Sequence, residues 1–330
     1  MAVFTKVTKL DILNIENQFN LGKIKKFKGI KKGIENTNYL ITIKNKKYIL
    51  TIFEKRVNSR DLPYFMNLMS KLSKLKVKCP NPVKSKNGKF IFKIKKKNAC
   101  IVSFLEGKDK KELNYNDCFV VGKNVAKLHL ASKKINLYRR NSLSISSWPN
   151  LLSKINIKIN KISKNLKSLM KNELIQIKKN WPRNLPKGII HSDLFVDNII
   201  FHKKKFHGFI DFYFSCNDYL SYELATCVNA LCFEKKNSKY VLNKKKSSNL
   251  LKGYESIRKL KNIEKKNFNT MCKGSALRYL LTRSYDYLNT PRNAIIKIKD
   301  PKEYIQKLNF HRGINSCLLY TSDAADDVEC

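Results

Sequence analysis

The chain has 330 residues, 42% of them hydrophobic and 11% aromatic, and this composition excludes an intrinsically disordered protein. Its net charge of +43 invites a nucleic-acid-binding function, but only ten of the 68 basic residues are Arg, the better reader of grooves and phosphates. Because the Lys are scattered over predicted loops, we expect no specific nucleic-acid partner. No apolar run approaches the ~20 residues that span a membrane, and the nine Cys form no C-x-x-C pair, so we expect a cytoplasmic protein with reduced thiols and no membrane partner.

The N-terminal part of the chain is predicted to be mostly β-structure. Apolar residues at helical spacing first predict a helix within residues 1–20, through Leu10, Leu13, Ile15 and Phe19. Short apolar runs then predict strands at 24–27, 39–43 and 48–53. The segment 29–38 between the first two contains two Gly and several Asn, and such a loop can bring backbone N–H groups close to phosphates. An ordinary hairpin is the alternative interpretation of this segment.

A second helix and two more strands complete this part. An amphipathic pattern predicts the helix over residues 61–75, and strands follow at 89–94 and 99–104. Charge and Gly then interrupt the apolar pattern at 105–109, where we place the domain boundary. An apolar strand that ends in a polar linker suits adenine, which needs apolar faces and backbone hydrogen bonds.

The remainder is predicted to be mainly helical. Helical patterns begin at Cys118 and recur over 151–180, 219–234, 246–260, 270–289 and 301–309. The sequence therefore predicts an α+β protein with a β-rich domain over 1–104 and a helical domain over 105–316. The tail 317–330 contains no Lys and has four acids in its last eight positions, so we expect it to be non-native and exclude it from the fold.

One motif between these helices carries the chemistry. His191, Asp193 and Asn198 follow the pattern H-x-D-x-x-x-x-N, and Asp211 comes later in Ile-Asp-Phe, each between apolar runs that predict short strands. In a kinase, Asp193 would orient the hydroxyl nucleophile, and Asn198 and Asp211 would supply oxygen ligands for Mg²⁺. Taken singly, each Asp could merely cap a helix or close a turn, and we expect His191 to be structural.

Longer stretches resemble a known family of kinases. GIENTNYLIT, GIIHSDLFVDNIIF, IDFYFSCNDYLSYELA and ALRYLLTRSYDYLN are similar to protein-kinase-like phosphotransferases of the aminoglycoside and choline kinase group, most of all to the type II homoserine kinases. The resemblance covers residues 1–316. It implies a two-lobe, protein-kinase-like fold and ATP-dependent phosphorylation of the L-homoserine hydroxyl, a step of threonine biosynthesis.

The resemblance also implies roles for individual residues. Asp193 would be the catalytic base, and Asn198 and Asp211 would hold Mg²⁺. The ATP-binding residues would be Gly33, Asn36, Thr37, Asn38, Ser103, Phe104 and Leu105.

Homoserine itself is a zwitterion, and its two charges suggest further residues. Its carboxylate suits a bidentate Arg, either Arg278 or Arg283, and its ammonium suits Asp218 or Glu223. Each Arg could instead form an ion pair with Asp286 or Glu223.

One point qualifies the comparison with kinases. Kinases of this fold carry a basic residue on the third strand, where this chain has Leu50-Thr51-Ile52, so Lys31, Lys32 or Lys55 would have to hold the phosphates.

The alternative functions are another small-alcohol kinase, of choline or aminoglycoside type, or a non-catalytic nucleic-acid-binding protein. An aminoglycoside site needs a large acidic cleft, and the chain has only 25 acids.

Overall fold

The computed structural model describes residues 4–30, 36–54, 57–155, 158–290 and 298–314. Backbone contacts divide the chain into two compact units. The N-terminal unit comprises Met1–Gly107 together with His207–Tyr213, and the C-terminal unit comprises Lys108–Phe206, Phe214–Arg292 and the last helix. The domain boundary at residue 104 stays a prediction. The sequence did not predict that residues 207–213 belong to the N-terminal unit.

The N-terminal unit contains a five-stranded antiparallel sheet in the order β1-β2-β3-β5-β4. Its side chains alternate between buried and partly exposed along β2, as expected for a sheet with one face on a core. The core is formed by residues such as Ile41, Leu50 and Ile101. The elements are α1 (Lys9–Gln18), β1 (Ile24–Gly29), β2 (Thr37–Ile43), β3 (Lys46–Ile52), α2 (Leu62–Lys74), β4 (Ile91–Ile94) and β5 (Lys97–Ser103).

Both predicted helices of this unit are present. The helix α2 buries the predicted apolar positions from Leu62 to Leu72, whereas Leu75, the last predicted position, follows the helix and is 37% exposed. In α1, by contrast, only Ile15 is buried, with Phe19 just after the helix, while Leu10 and Leu13 are 67% and 54% exposed. The expectation that all four apolar positions share one face was therefore wrong. Leu10 precedes Ile15 by five residues, or about 140° around a helix axis.

The C-terminal unit is mainly helical, with short hairpins. Its helices are α3 (Tyr115–Ser132), α4 (Trp148–Ile155), α5 (Leu166–Lys179), α6 (Leu220–Leu231), α7 (Lys244–Glu255), α8 (Asn262–Lys266), α9 (Phe268–Asn289) and α10 (Lys302–Arg312). Its strands are β6 (Lys187–Ile190), β7 (Ile199–His202), β9 (Cys216–Tyr219), β10 (Phe233–Lys236) and β11 (Lys239–Leu242), and β8 (Lys205–Phe209) pairs with β7. The predicted helices are confirmed, but the one predicted over 219–234 ends at Leu231, and the β10–β11 hairpin that begins at Phe233 was missed.

Two helix pairs organise this unit. At the crossing of α3 and α7, a Cβ atom on Gly122 would lie 2.0 Å from the Leu250 carbonyl, and one on Gly253 would lie 2.0 Å from the Phe119 carbonyl. Only glycine permits this approach of two backbones. The helices α6 and α9 are joined by hydrogen bonds between Thr226 and Ser275 and between Asn229 and Cys272.

Candidate active site

The loop that carries Asp193 leaves the end of β6 in a constrained conformation. Ser192 has φ of +68°, a left-handed conformation that a non-glycine residue adopts at a cost of about 1–3 kcal/mol. His191 and Ser192 are buried, and their backbone N–H groups donate to the Glu223 carboxylate at 2.5 and 2.8 Å. The surroundings thus hold the backbone just before Asp193 in one conformation.

Both carboxylate oxygens of Asp193 accept hydrogen bonds. The Tyr279 hydroxyl lies 3.2 Å from Oδ1, and it also lies 3.0 Å from the Ser192 carbonyl. The Asn198 Nδ2 lies 3.3 Å from Oδ2 and 2.8 Å from the Asp193 carbonyl. Each carboxylate oxygen retains lone pairs for a substrate proton. Tyr279 was not predicted as a site residue, because no spacing rule connects it with the loop.

The same contacts orient Asn198. Its amide nitrogen is used by Asp193, so its Oδ1 points away and presents a neutral oxygen ligand. Asn198 ends a single turn of 3₁₀ helix, Val196–Asn198, immediately before β7.

Glu223, a predicted candidate for the substrate ammonium, contacts the loop that carries Asp193. Its side chain is completely buried on α6, its oxygens accept the two loop N–H groups, and His129 Nε2 lies 3.6 Å away. Burial raises the pKa of Glu223, but the contacts with His129 and His191 outweigh it and lower the pKa below the ordinary value. The contacts of this carboxylate are thus with the loop backbone and with His129.

Arg278 and Arg283, both on α9, have different surroundings. Arg283 forms an ion pair with Glu303 at 2.5 Å, an acid that was not among its predicted partners. Arg278 is only 4% exposed and lies 3.9 Å above the Tyr279 ring. Among the described residues, no carboxylate lies within ion-pair distance of Arg278, although Asp193 and several Tyr are near enough to raise its pKa against the effect of burial.

Asp218 lies opposite Gly188 in the β6–β9 ladder, beside the strand that leads to Asp193. Asn141 Nδ2 donates to its Oδ2 at 2.6 Å, and the Tyr219 N–H donates to its Oδ1 at 2.8 Å. Burial raises the pKa of this carboxyl. The Asp218 carboxylate also lies close enough to Tyr222 to raise the pKa of that hydroxyl.

Asp211 belongs to the N-terminal unit. It is exposed and has φ of +65°, the second left-handed non-glycine residue of the motif. The Phe209 N–H donates to the Lys78 carbonyl at 3.0 Å, which anchors the strand before it. After it, the half-buried Tyr213 packs edge-on against Phe53 and Phe65.

The third-strand position that usually carries a basic residue is neutral here. Thr51 is buried and donates to Asn38 Oδ1 at 2.8 Å, and it also bonds with Tyr213, whose hydroxyl lies 3.8 Å from Cys100 Sγ. The predicted substitutes Lys31, Lys32 and Lys55 lie outside the described residues.

Most side chains predicted to bind the nucleotide are engaged within the N-terminal unit. The buried Thr37 hydroxyl donates to the Glu54 carboxylate, which also accepts from Lys97. The same Thr37 hydroxyl oxygen accepts the Phe4 and Thr5 N–H groups. Asn36 Oδ1 accepts the Glu54 N–H at 3.4 Å. The Thr37 hydroxyl and the side-chain oxygen of Asn36 are therefore already engaged within the N-terminal unit. Gly33 lies outside the described residues.

The segment 103–105 begins with the last residue of β5. The Ser103 N–H donates to the Asn81 carbonyl and the Phe104 N–H to the Lys47 carbonyl. Adenine would therefore have to use other backbone groups, since these two donors are occupied. Leu105 is partly buried.

Two searches of the described residues bear on other kinds of site. No cluster of three or more His, Cys, Asp or Glu there could hold a metal ion alone. None of the helices in this part of the chain combines the length and apolarity needed to cross a membrane.

Known proteins similar to this chain are kinases. A model of the phosphotransferase enzyme family matches residues 26–258. The homoserine kinase of Agrobacterium fabrum is 40% identical over 320 residues, which cover 97% of this chain and 98% of that protein. That of Brucella anthropi is 39% identical over 320 residues, covering 97% of each.

Solved structures share the fold at low identity. A spectinomycin phosphotransferase in complex with ADP and spectinomycin aligns with a TM-score of 0.68 at 12% identity, covering 94% of this chain and 99% of that one. Choline kinase from Cryptosporidium parvum aligns with a TM-score of 0.63 at 14% identity, covering 87% and 88%.

Proposed function

The chain belongs to the phosphotransferase enzyme family, and we propose that it is a homoserine kinase, which transfers the γ-phosphoryl group of ATP to the L-homoserine hydroxyl. Similarity to homoserine kinases at 40% identity over nearly the whole chain is the observation that carries the proposal. The product, O-phospho-L-homoserine, belongs to threonine biosynthesis. The α+β, protein-kinase-like fold predicted from sequence is confirmed. Choline and aminoglycoside substrates are not favoured, because the kinases of those types resemble this chain in fold alone.

Asp193 is the proposed catalytic base. The homoserine hydroxyl oxygen attacks the γ-phosphorus of ATP. The bond between the γ-phosphorus and the departing ADP oxygen breaks, and the hydroxyl proton moves to Asp193. Tyr279 and Asn198 each hold one carboxylate oxygen, and this fixes the remaining lone pairs in direction. Such positioning and proton acceptance contribute about 10²–10⁴-fold to a rate.

Asn198 and Asp211 are the proposed Mg²⁺ ligands. The Asn198 amide presents its oxygen because its nitrogen is used, and the Asp211 carboxylate is exposed. Two protein oxygens fit an ion that usually takes its other ligands from ATP phosphates and water. When bound, Mg²⁺ neutralises charge on the phosphates.

The zwitterionic end of homoserine is assigned to Arg278 and Asp218. Arg278 is a buried guanidinium with no carboxylate partner among the described residues, which suits an anionic substrate group. Asp218 is the remaining candidate for the ammonium group, since Glu223 holds the loop. Arg283 is paired with Glu303 and is left out of the substrate site.

ATP binding is assigned to the backbone of residues 33–38 and to residues 103–105. A cytoplasmic location is proposed because the seven Cys of the described residues are all buried and none of them forms a disulfide, as expected where thiols stay reduced. Neither a nucleic-acid nor a membrane partner is part of the proposal.

The test is ATP consumption by the purified chain with L-homoserine, compared with L-serine, L-threonine, choline and kanamycin. We expect the highest kcat/KM with L-homoserine, and turnover of choline but not homoserine would refute the proposal. Arg278→Lys should raise the homoserine KM far more than the ATP KM, because Lys cannot make the planar two-point contact. The matched variant Arg283→Lys should leave the ratio of the two KM values unchanged.

A further inference from the structure

Two buried hydroxyls of the C-terminal unit have no hydrogen-bond partner among the described residues, and near them lies a buried guanidinium that contacts the face of the Tyr279 ring. The Tyr222 and Tyr304 hydroxyls form no hydrogen bond within this part of the chain, and these residues are 3% and 0% exposed. Arg278 has no carboxylate within ion-pair distance there. Unpartnered donors in a protein interior are costly, so a cluster of them indicates a ligand that bonds them.

The antiparallel packing of α6 and α9 places two of these groups together. Asn229 contacts Cys272 and Thr226 contacts Ser275, so residue numbers fall along α6 as they rise along α9. One turn beyond the second contact, Tyr222 comes level with Tyr279, the neighbour of Arg278. The guanidinium and the Tyr222 hydroxyl are close enough to influence each other's pKa.

The third group is supplied by α10. The Tyr304 ring lies 5.2 Å from the Tyr279 ring, and the Arg283 guanidinium lies 4.4 Å from the Tyr304 ring centroid. Tyr279 is thus central: its face lies under Arg278 and its hydroxyl contacts Asp193. Burial raises the pKa of both Tyr222 and Tyr304, so their hydroxyls stay protonated and can donate.

These groups match the acceptor sites of one carboxylate. A carboxylate offers about four lone-pair directions, and a bidentate Arg uses two of them. Two hydroxyl donors can occupy the others. The cluster also lies beside Asp193, where the carboxylate end of a short substrate would be held while its hydroxyl reaches the base.

We propose that the Tyr222 and Tyr304 hydroxyls donate hydrogen bonds to the substrate carboxylate alongside Arg278, and so make the enzyme specific for an amino acid over the corresponding amino alcohol. The proposal rests on the homoserine kinase function. It adds two specificity residues to that function, neither of which belongs to the Asp193 motif.

The experiment compares Tyr222→Phe and Tyr304→Phe with the wild type on L-homoserine and on 3-aminopropan-1-ol, which lacks the carboxylate. Each variant should raise the homoserine KM about tenfold or more, as expected for a lost hydrogen bond to a charged group. The KM values for 3-aminopropan-1-ol and ATP should change less than twofold. Tyr240→Phe, a partly buried Tyr on β11, is the control and should change none of them.

Thermal unfolding without substrate provides a second measurement. The lost hydroxyls have no partner in the described residues, so neither variant should unfold below the wild type. Equal losses on both substrates, or a lowered unfolding temperature with no change in discrimination, would show a merely structural role and overturn the inference. A wild type inactive on homoserine overturns the proposed function as well, whereas an active wild type with unchanged Phe variants overturns the inference alone.

Discussion

Replacing Glu223 with Gln should slow catalysis without any change at the groups that touch the substrate. The Glu223 carboxylate accepts the His191 and Ser192 N–H groups at 2.5 and 2.8 Å. A Gln can accept one of these bonds through its oxygen, but its amide nitrogen then faces the other N–H. The loop must move to relieve this clash of donors, and Asp193 follows directly after it.

The magnitude follows from these contacts. Leaving one buried N–H without an acceptor costs about 1–3 kcal/mol, and the loss of the charged acceptor beside His129 adds about 1–3 kcal/mol. We therefore expect about 2–6 kcal/mol of lost stability. A displacement of about 1 Å at the base costs about 10²-fold in rate, so kcat should fall by about 10- to 100-fold while the ATP KM stays near wild type.

The assay is steady-state kinetics combined with urea unfolding, and Glu173→Gln is the matched control. Glu173 is also buried but pairs with Arg312 at 2.6 Å, on other helices. The Glu173→Gln enzyme should be less stable than the wild type but have the same kcat. A Glu223→Gln enzyme with kcat within twofold of the wild type would refute the positioning role, as would an equal fall in kcat for Glu173→Gln.

The pH dependence of stability gives an independent check. The folded-state pKa of Glu223 is lowered from the ordinary 4.5, so its contribution is fully present above that value and is lost as the pH falls through the folded-state pKa. The stability difference between the wild type and Glu223→Gln should therefore be constant near neutral pH and shrink below about pH 4.5. A difference that persists unchanged to lower pH would contradict this.

Four further predictions concern other residues. Asp193→Asn should lower kcat about 10²–10⁴-fold and leave ATP binding largely intact in calorimetry, whereas Asp211→Asn should also weaken Mg·ATP binding. Gly253→Ala should cost about 3 kcal/mol or more in urea unfolding, because its Cβ would lie 2.0 Å from a backbone carbonyl; Gly313→Ala, with its nearest neighbour at 3.6 Å, is the control and should cost little. Burial lowers the pKa of His311 to about 3, so the unfolded chain takes up a proton as the pH falls below 6.5, and stability should decline there less in His311→Asn than in the wild type. Deleting 317–330 should change the melting temperature by less than the few degrees that about 1 kcal/mol represents, and a larger drop would show that the tail is native.

The chemistry of the loop was predictable from sequence because its residues are close together in the chain. The spacing between Asp193 and Asn198 places an amide within reach of a carboxylate whenever a tight turn joins two strands. The helices were also predictable, since their apolar stripes recur with the helical period, as in α2.

Long-range polar contacts were not predictable in the same way. The roles of Glu223 and Tyr279 depend on which helix faces the loop, and a local pattern does not contain that information. Thr37 shows the same limit in the N-terminal unit, because its partner Glu54 lies 17 residues further along the chain, just after the end of β3. For Arg283, the sequence offered two plausible acids, while the actual partner Glu303 is on the following helix.

The approach of α3 and α7 at Gly122 and Gly253 has a consequence for local opening of the C-terminal unit. No side chain lies between the two backbones there, so neither helix can unwind or slide without separating from the other. Their amide protons at the crossing should exchange with solvent deuterium only through opening at nearly the full free energy of unfolding, whereas those of the short β10–β11 hairpin should exchange through smaller fluctuations. His129 on α3 is hydrogen-bonded to Tyr254 on α7 at 2.8 Å, and its Nε2 lies 3.6 Å from the Glu223 carboxylate. The slowest-exchanging part of the unit should therefore be the part that contacts Glu223.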